Sequence, residues 1–514
     1  MHRRCSALPD SDLFSTITSF KLTAAEIAAG VTPVNYVYAP GDVRRYGADP
    51  TGSADSGPAI QIAWKCNGTI QIPAGTYAIK TQQIFNGANI EIFGAGISMT
   101  TLIFSAAGQF IFGDSTNTTR NFYLQFEKLT INGNNRGQAT TAIKVYSFSE
   151  FHFRQVYFIE IQGPAIYAEI TQDGSVIDCQ FIYCGDNAAL GGGHANWAPL
   201  HLPYLSVNEN NHWNIIACHF EANYFSDIYA QGKNVECDHF ITKCKFGVPS
   251  YTIVSDADIN QYHIQCVTVT AISIVDNWFI NGGMVYLANS TVYHIMCNHG
   301  RNMSQGIWDD GGGGAAANIS SNQIFGNNSA TAITGSLHAN HWGVRIGGIN
   351  SEVGPANDIS GFNVNYQVWA GATNIAVIFP VSGGTPATSA AGTLVDAGTA
   401  TRLQQLDQPS VALPLLNSWA IGSFAPPAYS RSGNQVVLKG MVHGGTITGG
   451  TAIGTLPVGF RPTDSTRFFA CYTDNGTTSA VGFLQVSTAG SVLIGTVPAG
   501  TTNISLDGIE FSVI

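Results

Sequence analysis

The chain has 514 residues, a net charge of −11, 57 glycines, and charged side chains at only 11% of its positions. That length accommodates several domains or one long solenoid with an appended domain. A surface poor in lysine and glutamate but rich in glycine, asparagine and threonine favours an all-β protein. The acidic balance argues against nucleic-acid binding, and no apolar stretch approaches the roughly 20 residues that span a bilayer.

The N-terminus and the cysteines indicate where the chain folds. The first residues, "MHRRCSALPDSDLF", include basic side chains but no apolar core, so they do not predict a secretory signal. The ten cysteines form no CxxC pair and show no disulfide-framework spacing. This usage favours folding in a reducing cytosol.

Residues 42–104 carry the most specific motifs of the chain. They include "YGADPTG", the helical segment "SGPAIQIAWK" (56–65), "IPAGTY" and "GAG". These motifs resemble the beginning of the pectate-lyase-like right-handed parallel β-helix, in the form found in bacteriophage tailspikes and capsule depolymerases. The resemblance implies a β-helix over 42–372, with the short helix capping its open end. It also implies a homotrimer, and a connector at 1–41 that attaches the spike to the phage tail or baseplate.

Further along the chain, short β-branched runs recur, each followed by a tight turn that begins with Cys or Asn. The turn residues are Cys179, Cys218, Cys244, Asn277, Asn298, Asn322 and Asn340. Three short strands cannot bury their apolar side alone, so successive copies must stack into a parallel solenoid. Stacking places equivalent side chains in ladders with a spacing of about 4.8 Å. The cysteines are therefore interpreted as rungs of an internal ladder, because a column cannot converge on a metal ion. Neither a metal nor a cofactor is predicted.

Two of the repeats are longer than the others, and their extra residues fall within 191–213 and 254–270. Insertions in solenoids cluster on one face, which is often the binding face. Both are predicted to follow the same strand of the coil. The inward residues of that strand are predicted to be Ile166, Ile228, Ile253, Val285 and Ile307.

The outward side chains of that strand and of the insertions make up the predicted site. Aromatic rings stack on the CH faces of pyranoses, and polar side chains beside them can hydrogen-bond the hydroxyls. Substrate contacts are therefore expected from Tyr167, His194, Trp197, Tyr229, Gln231, Tyr286 and Trp308. Glycosidic hydrolysis needs two carboxyl groups, and the catalytic candidates are Glu169, Asp227, Asp256, Asp258 and Asp309. The resemblance assigns none of them, because the acids of such spikes occupy different coil positions and some lie between subunits.

The predicted function is that of a phage tailspike that binds a bacterial capsule or O-antigen and depolymerises it, preferentially by hydrolysis. Two alternatives stay open. One is a polysaccharide lyase on the same scaffold, with Tyr229 or Lys233 near the aromatic column as candidate bases. The other is a receptor-binding spike without catalysis. The expected location is the virion, with folding in the host cytoplasm and action at the outer surface of the bacterium.

The repeat pattern ends near residue 372. Residues 373–409, rich in alanine, threonine and glycine, are predicted to be a linker. The alternating short strands of 410–514 predict a β-sandwich. This segment resembles the C-terminal lectin-like or trimerising modules of phage tail proteins.

Overall fold

A computed structural model describes residues 19–513, except for 106, 117–119, 135–140, 187–196, 204–209, 233–235, 249–261, 311–316, 327–341, 355–356, 361, 363, 369–371, 373–374, 380–393, 397–401 and 422–423. The chain divides into two compact units. The first comprises Met1–Ser351, Asp358–Thr373 and Ala390–Thr399, and the second comprises Glu352–Asn357, Asn374–Ser389 and Ala400–Ile514.

Three short helical elements open the first unit: helix α1 (Ala24–Ala28), a 3₁₀ helix (Val43–Tyr46) and helix α2 (Gly57–Cys66). A buried ion pair ties the first two together, because Arg45 Nε lies 2.6 Å from Glu26 Oε1 and both side chains are fully buried. The Tyr46 hydroxyl donates to the same carboxylate at 2.9 Å. Helix α2 confirms the predicted capping helix, and its Trp64 ring contacts Phe85 of the first coils edge-on at 5.5 Å.

The strands as far as residue 246 are β1 (Thr51–Asp55), β2 (Thr69–Ile72), β3 (Gly75–Ile79), β4 (Gln82–Phe85), β5 (Ile90–Gly94), β6 (Thr100–Phe104), β7 (Gln109–Phe112), β8 (Asn121–Asn132), β9 (Ile143–Tyr146), β10 (Phe148–Ile159), β11 (Ile166–Glu169), β12 (Ser175–Ile177), β13 (Gln180–Ile182), β14 (Leu200–Leu202), β15 (Asn214–Ile216), β16 (His219–Glu221), β17 (Ile228–Gln231), β18 (Glu236–Thr242) and β19 (Lys245–Phe246).

The strands that follow, as far as residue 396, are β20 (Tyr262–Val267), β21 (Thr270–Val275), β22 (Trp278–Ile280), β23 (Gly283–Ala288), β24 (Thr291–Met296), β25 (His299–Met303), β26 (Gln305–Asp309), β27 (Ala317–Ser320), β28 (Gln323–Gly326), β29 (Trp342–Ile346), β30 (Glu352–Val353), β31 (Asp358–Ser360), β32 (Val364–Val368), β33 (Ala376–Phe379) and β34 (Leu394–Asp396).

The strands of the first unit pair in parallel between successive coils, and each coil contributes to three faces. Two faces belong to one large sheet, sheet 1, and include the runs β12-β15-β18-β21-β24 and β13-β16-β19-β22-β25. The third face is a separate twelve-stranded sheet, sheet 2, in the order β34-β32-β29-β26-β23-β20-β17-β14-β11-β9-β7-β4. The predicted parallel β-solenoid is therefore confirmed.

Identical side chains stack inside the solenoid. Phe158, Phe181, Phe220, Phe246 and Phe279 form a continuous column, with ring centroids 4.6–5.1 Å apart and planes within 8° of parallel. Such a spacing follows from the distance between paired strands. Each ring contacts the ring above and below, which holds the coils in register.

The predicted Cys/Asn ladder runs beside these rings. The Cys218 amide donates to Cys244 Sγ at 3.4 Å, and the Cys244 amide donates to Asn277 Oδ1 at 2.9 Å. The amides of Asn277 and Asn298 donate in the same way to Asn298 and Asn322, at 3.0 and 3.1 Å. Buried backbone groups are thereby paired by a side chain of the next coil. Asn340 lies outside the described residues.

One predicted register differs from the structure. Strand β17 pairs with β20, in which Ile264 lies opposite Ile228. The position predicted for Ile253 is thus occupied by Ile264, and the second insertion precedes its strand instead of following it. The shift arises because the inserted residues separate β19 from β20. The strand expected after Cys244 was therefore assigned to the triplet "TIV" at 252–254 instead of to β20.

The second unit continues with β35 (Arg402–Ala412), β36 (Ala420–Ile421), β37 (Ala428–Gly433), β38 (Gln435–Lys439), β39 (Met441–His443), β40 (Ala452–Thr455), β41 (Arg467–Asp474), β42 (Ser479–Val486), β43 (Ser491–Thr496), β44 (Asn503–Ser505) and β45 (Ile509–Ser512). Its pairings β37-β38-β45 are antiparallel, as are those of a seven-stranded sheet in the order β36-β39-β44-β41-β42-β43-β40. One apolar core includes Leu438 of β38, Ile509 of β45 and Leu484 of β42.

Candidate functional site

One line of side chains crosses nine consecutive strands of sheet 2 in register. Both sequence neighbours of each of these residues are buried, so the nine side chains project from the side of the sheet that faces away from the core. None of them is aliphatic. We call this line the outer column, and it consists of Lys144, Tyr167, His201, Tyr229, Gln265, Tyr286, Trp308, Arg345 and Gln367.

Three rings stack in the first half of the outer column. Tyr167 and His201 lie with centroids 5.6 Å apart and planes 12° from parallel. His201 and Tyr229 lie 4.8 Å apart at 22°. Burial between the two tyrosines lowers the pKa of His201 to about 4, so its imidazole is neutral at pH 7. The Lys144 ammonium lies 6.0 Å from the Tyr167 ring.

Glu169 lies beside this stack, at the next outward position of β11. Only 6% of the residue is exposed. Desolvation raises the pKa of its carboxyl group, although a hydrogen bond with Tyr167 and the charge of Lys144 partly oppose that shift. A carboxyl group whose protonated form is favoured is suited to donating a proton.

The second half of the outer column is an aromatic cluster around a cation. Tyr286 and Trp308 have centroids 4.9 Å apart. The Arg345 guanidinium lies 5.1 Å from the Trp308 ring and 4.4 Å from the Trp342 ring, so it is held by cation–π contacts on two sides. Burial lowers the pKa of Arg345. The Tyr286 hydroxyl donates to Asp310 Oδ2 at 2.9 Å.

The structure brings most of the predicted substrate contacts together. Tyr167, Tyr229, Tyr286 and Trp308 all belong to the outer column. Gln231 adjoins it, because its Oε1 lies 3.3 Å from the Tyr229 hydroxyl.

Two further predicted contacts come from the first insertion. Trp197 is half-buried and its backbone pairs with that of Asp186. His194 lies outside the described residues.

Two of the predicted catalytic acids lie inside the solenoid. Asp227 is 4% exposed; it accepts a hydrogen bond from Asn223 Nδ2 at 2.6 Å and lies 2.5 Å from His263 Nδ1. Asp309 is 2% exposed and accepts the Gly348 amide at 2.9 Å. Both carboxylates therefore satisfy internal groups and are not accessible to a ligand on sheet 2.

Glu169 is the catalytic candidate that lies beside the outer column. Asp256 and Asp258 lie outside the described residues. Sequence reasoning did not place Lys144, His201, Gln265, Arg345 and Gln367 in the site. A signal existed for His201, since "LHL" at 200–202 repeats the apolar-polar-apolar order of "IYA" at 166–168 and 228–230.

Within the described residues, no group of three or more His, Cys, Asp or Glu side chains is arranged to hold a metal ion. No helix of the described residues is long and apolar enough to cross a membrane.

Comparison with known proteins agrees with this architecture. Residues 42–215 match the family model described as rhamnogalacturonase A/epimerase, pectate lyase-like. No curated protein sequence matches the chain. The structure is a parallel β-helix, and the match of residues 42–215 to a pectate lyase-like family model agrees with the resemblance drawn from the motifs of residues 42–104.

Three solved structures resemble the chain at low sequence identity and low TM-score. ORF18 of Geobacillus virus E2 is 16% identical with a TM-score of 0.42, and the match covers 89% of this chain and 78% of that one. DFA-IIIase of Arthrobacter chlorophenolicus A6 without its lid is 15% identical with a TM-score of 0.45, over 70% and 99%. The Dettilon tailspike protein gp208 is 13% identical with a TM-score of 0.35, over 90% and 93%.

Proposed function

We propose that the chain is a phage tailspike that binds a bacterial surface polysaccharide, capsule or O-antigen, along the outer column and cleaves it. The observation that carries the proposal is the outer column itself, in which nine consecutive strands present only aromatic, basic or amide side chains. Eight steps of about 4.8 Å give a line of side chains roughly 38 Å long, in which His201, Gln265 and Tyr286 are buried and the other six are half-buried. A line of that length matches an extended chain ligand better than a small molecule.

The two halves of the outer column would contribute different contacts to a sugar chain. Because Tyr167, His201 and Tyr229 stack on one another, they offer ring edges, not ring faces, to a sugar chain. Lys144 and Arg345, near the two ends, offer charge-assisted hydrogen bonds to hydroxyl or carboxylate oxygens. Gln265, between them, is only 2% exposed.

For cleavage we propose hydrolysis, with Glu169 as the proton donor because its pKa is raised by burial. A second carboxylate is then needed, at a separation of about 5–9.5 Å. Asp310 does not provide it, since it follows β26 and therefore lies five strand spacings, about 24 Å, from Glu169. Asp256 or Asp258 of the second insertion is proposed for that role.

One observation favours elimination by a lyase as the second candidate reaction. His201 Nδ1 is buried without a hydrogen-bond partner among the described residues, so it is free to accept a proton, although the pKa of about 4 makes this imidazole a weaker base than an ordinary histidine. Elimination consumes no water and leaves an unsaturated uronate at the new end, whereas hydrolysis leaves two saturated ends.

The experiment is incubation of the protein with a panel of purified capsular polysaccharides and O-antigens. Chain length is followed by size-exclusion chromatography, and unsaturated uronate by its ultraviolet absorbance. Hydrolysis predicts shorter chains without new absorbance, and a lyase predicts both. Binding without shortening of any bound polysaccharide would show a receptor-binding spike that does not cleave.

We also propose that the spike is a homotrimer that attaches to the phage tail through the segment before residue 42. The seven-stranded sheet supports self-association, because the outward faces of β41 and β42 expose Phe468 (69%), Tyr472 (46%), Val481 (66%) and Phe483 (52%). Contiguous exposed apolar side chains of this kind mark interaction surfaces.

Sedimentation equilibrium tests the trimer. The wild type is expected at three times the mass of the chain, and Phe468→Ser with Phe483→Ser at a lower mass. Val458→Ser, at another exposed apolar residue (78% exposed), is the matched control. A monomeric wild type would refute the trimer and leave the proposed polysaccharide binding untouched.

A further inference from the structure

Sheet 1 bends between its two faces, for example between β12 and β13 of one coil. Six successive coils place a left-handed residue at that bend, with φ between 52° and 58°: Asp178, Ala217, Lys243, Asp276, Cys297 and Ser321. Few residues other than glycine adopt this φ, and each of these six is followed directly by a rung of the buried Cys/Asn ladder. The ladder therefore fixes the bend and the direction of the side chains beside it.

Trp278 lies just beyond this bend and is unusually exposed for its type. Its two neighbours, Asn277 and Phe279, are buried, yet 44% of Trp278 is exposed. Strand pairing places Lys245 beside it in one coil and His299 beside it in the next. The His299 imidazole centroid lies 4.1 Å from that of the indole, so the indole is supported from the His299 side and held in place.

The bend and strands β19, β22 and β25 form an open groove of about 340 Å³ beside this ring, lined by Lys243, Cys244, Lys245, Asp276, Asn277, Trp278, Cys297 and His299. Its volume falls in the range of roughly 300–1,000 Å³ that is usual for ligand sites. All of these residues are described, and they lie in sheet 1 or in the turns between its two faces, whereas the outer column belongs to sheet 2.

The charge of the groove is opposite to that of the chain. Its lining supplies two lysines and one histidine against the carboxylate of Asp276, whereas the whole chain carries −11. Within the described part of the molecule, neither Lys243 nor Lys245 forms an ion pair. Two ammonium groups beside an exposed indole are a combination suited to an anionic ligand with an apolar face.

We propose that this groove binds an oligosaccharide that carries a hexuronate, at a site separate from the outer column. The CH face of a pyranose ring lies on Trp278, and the Lys243 and Lys245 ammonium groups hold the uronate carboxylate. Asp276 accepts hydrogen bonds from ring hydroxyls. The proposal goes beyond the proposed function and does not depend on cleavage, because it assigns a binding site on a different sheet.

The test uses ¹⁹F NMR of the full chain labelled with 5-fluorotryptophan, which gives one resonance for each of its 8 tryptophans. Trp278→Phe assigns the resonance of interest by its disappearance. Titration with tetragalacturonate is expected to shift that resonance in a saturable way. Maltotetraose, a neutral chain of equal length, is expected to bind about tenfold more weakly, because it lacks the carboxylates that the lysines hold.

The lysines are tested with the indole kept as the probe. Lys243→Gln with Lys245→Gln is expected to weaken tetragalacturonate binding about tenfold, since charge-assisted hydrogen bonds are lost. Lys439→Gln, in the second unit, is the matched control and leaves the titration unchanged. A melting temperature equal to that of the wild type would show that each variant is correctly folded.

Three results would overturn the proposal. One is a Trp278 resonance that tetragalacturonate does not move, and another is equal affinity for maltotetraose. The third is a shift with adenosine monophosphate but not with tetragalacturonate, which would identify a nucleotide site instead. None of these readouts involves depolymerisation, so failure here and failure of the proposed function are distinguishable.

Discussion

Asn298 is the residue at which the solenoid core can be tested most sharply. Its Oδ1 accepts the Asn277 amide at 3.0 Å, and its Nδ2 donates to the Ile274 carbonyl at 2.8 Å. Asn298 is only 1% exposed, so water cannot replace these bonds. Asn298→Ala leaves a buried amide and a buried carbonyl without their partner. Each such group costs about 1–3 kcal/mol, so the expected loss in the free energy of unfolding is about 2–6 kcal/mol.

The ladder supplies its own matched control. Cys244 occupies an equivalent rung, where its Sγ accepts the Cys218 amide at 3.4 Å and donates to the Ile215 carbonyl at 3.6 Å. Asn298→Cys should therefore keep weaker versions of both bonds and cost only about 1 kcal/mol.

Differential scanning calorimetry at one fixed scan rate compares the two variants of Asn298, since unfolding of a chain this long is not assumed reversible. The expected order of melting temperatures is wild type, then Asn298→Cys, then Asn298→Ala several degrees lower. An alanine variant as stable as the cysteine variant would refute the idea that side-chain hydrogen bonding along the ladder holds the coils together.

Three further predictions concern the outer column. If Glu169 is the general acid, Glu169→Gln should lower the rate of cleavage by about 10²–10⁴-fold, whereas the exposed control Glu150→Gln should not change it. Because the pKa of Glu169 is raised, wild-type activity should persist above pH 4.5 and fall as the pH rises through that higher pKa. The His201 imidazole, with its pKa of about 4, should show no titration between pH 8 and 6 in histidine NMR spectra, and a midpoint near 6.5 would contradict its burial. Arg345→Lys should weaken polysaccharide binding, measured by isothermal titration calorimetry, about tenfold, since lysine cannot stack as a planar ion between Trp308 and Trp342. Arg301→Lys, at an exposed position of sheet 1, is the control and should leave the affinity unchanged.

The solenoid could be predicted because its signals are local and repeated. A Cys or Asn after each β-branched run, followed two residues later by Phe in four of the seven copies, recurs whether or not the loops between them change length. The capping helix was predictable for a similar reason, since its proline, apolar spacing and position before the first coil are all local. Ladders depend on equivalent positions alone, so sequence is sufficient to find them.

The candidate site was predictable only where the sequence shows which residues of a strand point inward and which point outward. Asp309 directly follows the outward Trp308, so strict alternation along a strand places its side chain inward. Asp309 was named as a catalytic candidate because it is a carboxylate, and this alternation was not applied to it. Asp227 precedes β17 by one residue, where alternation no longer applies, and its burial depends on Asn223 and on His263 of the next coil. Such a partner, found 36 residues away, cannot be read from a single sequence.

Loop length explains the remaining difference. The residues between β19 and β20 moved the predicted strand to Ile253, which hid Gln265 and placed Asp256 and Asp258 after a strand instead of before one. An insertion shifts every position counted across it, whereas a side-chain ladder continues on both sides of it unchanged.

We propose above that the outer column of sheet 2 holds the polysaccharide. The most direct measurement is a crystal structure of the protein with an oligosaccharide product from a susceptible capsule or O-antigen. We expect sugar rings against Tyr167, Tyr229 and Trp308, with the cleaved end beside Glu169. Product density on another surface, with the outer column unoccupied, would contradict it.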